Sequence, residues 1–173
     1  VSIADRLRHR VTVLRPASDG EDAWGHPAER IVVVATDVHA LLQGRTAREQ
    51  QVSALGAGVI DTDVFLPIDA PVTAVDQLAR TVNLGTVSAD QTDTVLAFAD
   101  GPPPPAKLTI GDTELLVVIA ADATTLTVEP ALAHGYVNAP LRLVTDLYAV
   151  LGPPIDAAGR GQHLEAPARL VVG

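Results

Sequence analysis

The chain has 173 residues, a formal net charge of −9, no Cys, and a hydrophobic fraction of 47% although aromatic residues make up only 3%. This length can bury a genuine core and fits one domain, or one domain with a sizeable insertion. The composition excludes disulfides, thiol chemistry and Cys-ligated zinc, and no run of about 18 apolar residues offers a membrane-spanning helix.

The apolar residues are mostly Ala, Val and Leu, with Val in short runs that suit strands. Thirteen Gly and thirteen Pro keep the elements short. An all-β fold is expected. Val1–Arg10 carries Asp5, Arg6, Arg8 and Arg10 and lacks the apolar core of a secretory signal. Within it, Ser2–Leu7 has the capping residue and i,i+4 apolar pair of a single helical turn. Arg10–Arg15 alternates as a strand and Pro16 ends it. Asp19-Gly20-Glu21-Asp22 and Trp24-Gly25-His26-Pro27 read as turns. Ile31–Leu42 is the longest strand expected, bent or bulged near Ala35-Thr36 where its pattern changes.

Between Gln43 and Gly58 the periodicity fails. Thr46 and Glu49 have capping-box spacing, yet only Val52 and Leu55 supply apolar surface. A long mobile loop, partly helical, is the expectation. Ile60–Ile68 alternates cleanly, and Val72–Leu78 follows as a further apolar segment. Pro102–Pro105 reads as a stiff extended spacer. Beyond it, Leu108–Ile110, the Gly111-Asp112 turn and Leu115–Ile119 make a hairpin. Thr124–Glu129, Leu141–Val144, Leu147–Val150 and His163–Val172 complete the strands. The division expected is a core of residues 1–78 plus 146–173, with 79–145 as an inserted small β subdomain.

Charge is unevenly spread. Residues 1–50 hold seven basic and seven acidic side chains, and residues 51–145 hold three against eleven. An acidic middle argues against tight sequence-independent DNA binding, which needs several Lys or Arg on phosphate. It suits a surface that DNA slides past, or serves solubility alone.

Each catalytic or metal-binding candidate fails on spacing. Asp61 and Asp63 share a strand face without a further ligand at useful distance. Asp19–Asp22 lacks the alternating ligands and closing Glu of a calcium loop. His9, His26, His39, His134 and His163 show no paired metal spacing, and no G-x-S-x-G elbow occurs. Gly159-Arg-Gly161 precedes a strand rather than the helix of a phosphate loop. A non-enzyme without cofactor or metal is expected. Trp24 is either an interface anchor or a packing residue.

Two stretches carry a resemblance. Asp5-Arg-Leu-Arg-His-Arg-Val-Thr-Val-Leu-Arg-Pro16 with Asp22-Ala-Trp-Gly25 resembles the start of the phage head-closure proteins, the head-to-tail connector or stopper proteins of long-tailed phages. Leu147-Tyr-Ala-Val-Leu-Gly-Pro-Pro154 with Gly159-Arg-Gly-Gln-His-Leu-Glu165 is similar to that family's closing strand pair. The likeness spans roughly Ser2–Leu78 and Asp146–Val172, and departs from short members over 79–145. It implies a small β-barrel in a homo-oligomeric ring, between a portal-side adaptor and the tail terminator or tail-tube protein, in the virion neck and assembled in the host cytoplasm. It also implies that a loop, here Gly44–Gly58, reaches the channel, where Arg45 and Arg48 meet double-stranded DNA transiently. Glu49, Gln50 and Gln51 belong to that candidate loop, and Glu49 and Asp61 keep the contact weak. Packing of the loop on a neighbouring subunit is the alternative. Arg8, Arg10, Trp24 and His163 are the candidate interface residues. Competing readings are another ring protein of the neck or tail, such as a tail terminator, a ligand-binding β-module short of aromatics, and a hydrolase resting on Asp61 and Asp63.

Overall fold

The computed structural model describes residues 6–21, 24–45, 61–156, 159 and 161–171. Ser2–Asp5 of the expected Ser2–Leu7 turn, and all of the Gln43–Gly58 stretch beyond Arg45, lie outside them. Ten strands run β1 (His9–Glu21), β2 (Pro27–Gly44), β3 (Thr62–Pro67), β4 (Gln77–Ala89), β5 (Val95–Ala97), β6 (Ala106–Ile110), β7 (Glu114–Ala121), β8 (Thr125–Glu129), β9 (Tyr136–Val150) and β10 (His163–Val171). The protein is all-β, and no α-helix occurs among the described residues.

The strand order is β10-β3-β2-β1-β4-β9-β6-β7-β8-β5, and an additional β10–β9 pairing closes six of the strands into a ring. The chain divides into two compact units, one of residues 1–13, 34–80 and 146–172, the other of 14–33, 81–145 and 173. The second unit therefore takes Leu14–Val33 as well as the stretch downstream of residue 80. β1, β2, β4 and β9 each contribute residues to both units.

In the first unit, β3 alternates buried and half-buried positions, with Thr62, Val64 and Leu66 turned inward. Period-two alternation lets one face fill a core while the other meets water. That core takes Val11 and Val13 from β1, Ala40 from β2, Leu78 from β4, Val150 from β9, and Ala166 and Ala168 from β10. β10 runs antiparallel to β3, with Ala166 opposite Val64, and to β9, with Ala168 opposite Val150. The expected irregularity near Ala35-Thr36 falls at Asp37, whose φ is +54° and whose carbonyl accepts from Arg10 Nη1 at 3.0 Å. Asp is among the few residues that tolerate that backbone region. Val72–Asp76, expected to continue the strand pattern, is instead a turn. Asp76, 1% exposed, accepts the Thr73 backbone N–H at 2.7 Å through Oδ2, and β4 starts only afterwards.

The second unit packs Val87, Leu96, Leu108, Ile110, Leu116, Val118, Leu126, Val128 and Leu141 into its own core. The expected hairpin is β6–β7, with Leu108 opposite Leu116. At its turn Gly111 and Asp112 have φ of +59° and +50°, as a primed hairpin turn requires. The Pro102–Pro105 run leads into β6. Leu141–Val144 and Leu147–Val150, read separately in the sequence, are parts of the single strand β9.

One polar cluster lies within this second core. Glu114 is fully buried, and its carboxyl meets Arg30 Nη1, the Tyr136 hydroxyl at 2.6 Å and the Ala133 N–H at 3.1 Å. Arg30 also donates to the Ala131 carbonyl and to Asp19, each at 2.9 Å. Burial works against the guanidinium charge, but the Asp19 hydrogen bond and the fields of Glu114 and Asp19 outweigh it and raise the Arg30 pKa. Beside the cluster, Val32 of β2 pairs with Glu114 of β7, and Val33 N–H bonds the Thr113 carbonyl at 2.8 Å. A buried charge is tolerable only when so satisfied.

Candidate functional site

The sequence directs attention to the place where β2 ends and β3 begins. Four residues pair there, Leu41 with Phe65 through Gly44 with Thr62. One step further, the Arg45 N–H bonds the Asp61 carbonyl at 2.7 Å, so the ladder continues to the last described residue on each side. Arg45 then folds back onto β3, where Nε and Nη2 meet the two carboxylate oxygens of Asp63 at 2.9 and 2.6 Å. This bidentate geometry is the strongest form of such a pair. Asp61 turns toward β10 instead and accepts from the Thr62 hydroxyl at 2.8 Å and the Leu170 N–H at 3.0 Å. The two carboxylates singled out by their spacing thus serve separate partners.

Two open grooves flank this rim. One, of about 330 Å³, is lined by Leu42, Gly44, Arg45, Asp61, Tyr148 and Leu170 among others. Burial, then the charge of Asp146, raises the Tyr148 phenol above its ordinary pKa. The other, of about 410 Å³, lies between Arg45, Asp63 and the Gly152–Ile155 turn. That turn is held on β10 by Leu151 N–H to the Pro167 carbonyl and by reciprocal Ile155–Glu165 bonds, all 2.8–2.9 Å. A side chain at 152 would bring its Cβ to 3.3 Å from Pro167 Cγ, which favours glycine there. Among the described residues, no three His, Asp or Glu converge as a metal site.

Of the candidate channel-loop residues, Arg45 is held by Asp63, while Arg48, Glu49, Gln50 and Gln51 lie outside the described residues. Of the candidate interface residues, Arg8 and Arg10 are exposed on β1's approach and start, and Trp24 is 85% exposed at the β1–β2 connection. His163 is buried at 8% exposure, its ring 5.8 Å from that of Phe65 and its Nε2 2.9 Å from Glu165. Arg8, Arg10 and His163 belong to the first unit and Trp24 to the second.

Sequence reasoning missed the Arg45–Asp63 pair, since the two lie 18 positions apart and meet only through the β2–β3 register. No protein-family model and no curated protein matches this chain.

Proposed function

We propose that this chain is a non-enzymatic structural protein of the neck of a long-tailed bacteriophage, a head-closure or stopper protein. Copies form a ring between the portal-side adaptor and the tail, close the DNA channel and dock the tail terminator or tail-tube protein. We read the ring of six strands as the small barrel of that family.

The observation carrying this reading is that the first part of the opening motif and the closing stretch feed one core, although Leu14–Pro16 and Trp24-Gly25 of that motif group with the second unit. Val11 and Val13, from the opening motif, share a cluster with Val150, Ala166 and Ala168, from the closing stretch. Had the ends belonged to separate units, the two motifs would not describe one module. The electrostatics support the same role. A net charge of −9, with Arg45 paired to Asp63 at the β2–β3 rim, disfavours tight phosphate binding at that rim. DNA contact is then transient, as a conduit needs.

Cryo-electron microscopy of the head–tail neck of particles encoding this chain tests the proposal. The expected density is a ring below the adaptor. Density for the chain only in the tail tube or the capsid shell would reject it.

A further inference from the structure

The two compact units differ sharply in charge. The second carries eleven Asp and Glu against four Lys and Arg, whereas the first carries ten against eight. The contrast is steepest at two exposed places. At the β1–β2 connection of the second unit, Trp24 presents 85% of its surface, with Gly25 at φ +78° shaping the tip. Glu21 and Glu29 are exposed on the strands beside it. In the first unit, Arg6, Arg8 and Arg10 are exposed at alternate positions, while Leu7 between them is buried. No acid occurs in the sequence from Arg6 to Ser18. Neither Arg6 nor Arg8 meets an acidic partner among the described residues.

We infer that the Trp24 tip of one copy docks on the Arg6–Arg8–Arg10 stripe of a second copy. The chemistry is complementary on both counts. A guanidinium lying on the face of an indole gains from the ring quadrupole, and the flanking glutamates pair with the remaining arginines. Charge selects this arrangement over tip against tip, which sets Glu21 and Glu29 on their own equivalents, and over stripe against stripe. Trp and Arg are also the residue types that dominate the energy of protein interfaces. Because tip and stripe are different surfaces, the contact is heterologous. Each copy presents one tip and one stripe, so the next copy adds by the same contact, which is how a ring grows. The inference supplies contact surfaces to the ring reading and rests on it for closure, but the contact itself is measurable in solution without any virion.

Trp24 is the sole tryptophan, so its fluorescence reports its own burial. In the unmodified protein, emission shifts to shorter wavelength as concentration rises, and salt reverses the shift. The Arg6→Glu/Arg8→Glu variant loses it, with association weakened at least tenfold by sedimentation equilibrium. The Glu21→Arg/Glu29→Arg variant loses it as well. An equimolar mixture of the two recovers it, since each reversed surface then meets an opposite one. Circular dichroism of each variant verifies folding. Emission independent of concentration overturns the inference, and so does a shift that survives either reversal or a mixture that fails to associate. A neck location found by microscopy alongside such a failure leaves the stopper reading standing and removes only this contact.

Discussion

Glu114 is the least accessible acidic group described, and its neighbours explain how it is accommodated. Arg30, the Tyr136 hydroxyl and the Ala133 N–H converge on it. Removing one partner of a buried ion pair strands the other, at a cost of about 3–5 kcal/mol. Glu114→Ala is therefore expected to lower the urea midpoint strongly, whereas Tyr136→Phe costs about 1 kcal/mol for one hydrogen bond. Burial, followed by the Glu114 contact, pushes the Tyr136 phenol far above its ordinary value, and Tyr148 is raised too. A raised pKa means stability fully present below the unfolded value of 10.0 and lost as pH climbs beyond it. Alkaline absorbance titration is expected to show less phenolate at the normal tyrosine pKa than two free tyrosines would give, while the fold persists. Asp122 behaves oppositely. The Thr124 N–H, then the Thr125 hydroxyl and N–H, hold its pKa down to about 2 from 3.8. Its contribution is complete above the unfolded value and disappears as pH falls through the folded one. Carbon NMR of its carboxyl group checks that midpoint. The Arg30–Glu114 pair was not legible in the sequence, because the two stand 84 positions apart and only the β2–β7 pairing brings them together.

At the scale of elements, most strands could be read from the chain. Alternation in Ile60–Ile68 and the turn chemistry of Gly111-Asp112 correspond to β3 and the β6–β7 hairpin. Arg10–Arg15 marks only the first part of β1, which continues through Pro16 to Glu21, where the sequence predicts a strand end and a turn. All of β4 beyond Leu78 and the brief β5 escaped notice. Thr81–Ala89 mixes Asn83 and Gly85 into its pattern and buries only Val87, so its hydrophobic signal is weak. Val72–Asp76 misled in the other direction, since its apolar residues belong to a turn pinned by a buried acid rather than to a ladder. The β6–β7 turn offers a direct test. Gly111 has positive φ, and an added Cβ would stand 2.5 Å from the Tyr136 ring. Gly111→Ala is expected to cost roughly 1–3 kcal/mol through overpacking alone. Gly20→Ala, also at positive φ but with nothing within 4 Å, isolates the backbone share. Denaturant midpoints of the two variants separate the effects.

For the whole molecule, the compact units do not follow a single contiguous cut. Leu14, fully buried, and the rest of residues 14–33 are grouped with 81–145. Excising 81–145 and joining the ends is therefore expected to leave the later part of β1 and the earlier part of β2 without the rest of their compact unit. Poor amide dispersion in a proton–nitrogen spectrum would register the loss, and a well-dispersed native-like spectrum would contradict the expectation. The sequence could not reveal this grouping, since strand-length patterns do not say which of two cores a side chain enters. The strand order holds one further consequence. Among the described strands only β5 has a single neighbour, and it spans three residues, Val95–Ala97, with Asp93 and Asp100 close on either side. A free backbone edge that short, bordered by like charges, makes a poor template for fibril growth. The β5 edge is therefore not expected to seed thioflavin-binding aggregates, even in protein stored concentrated.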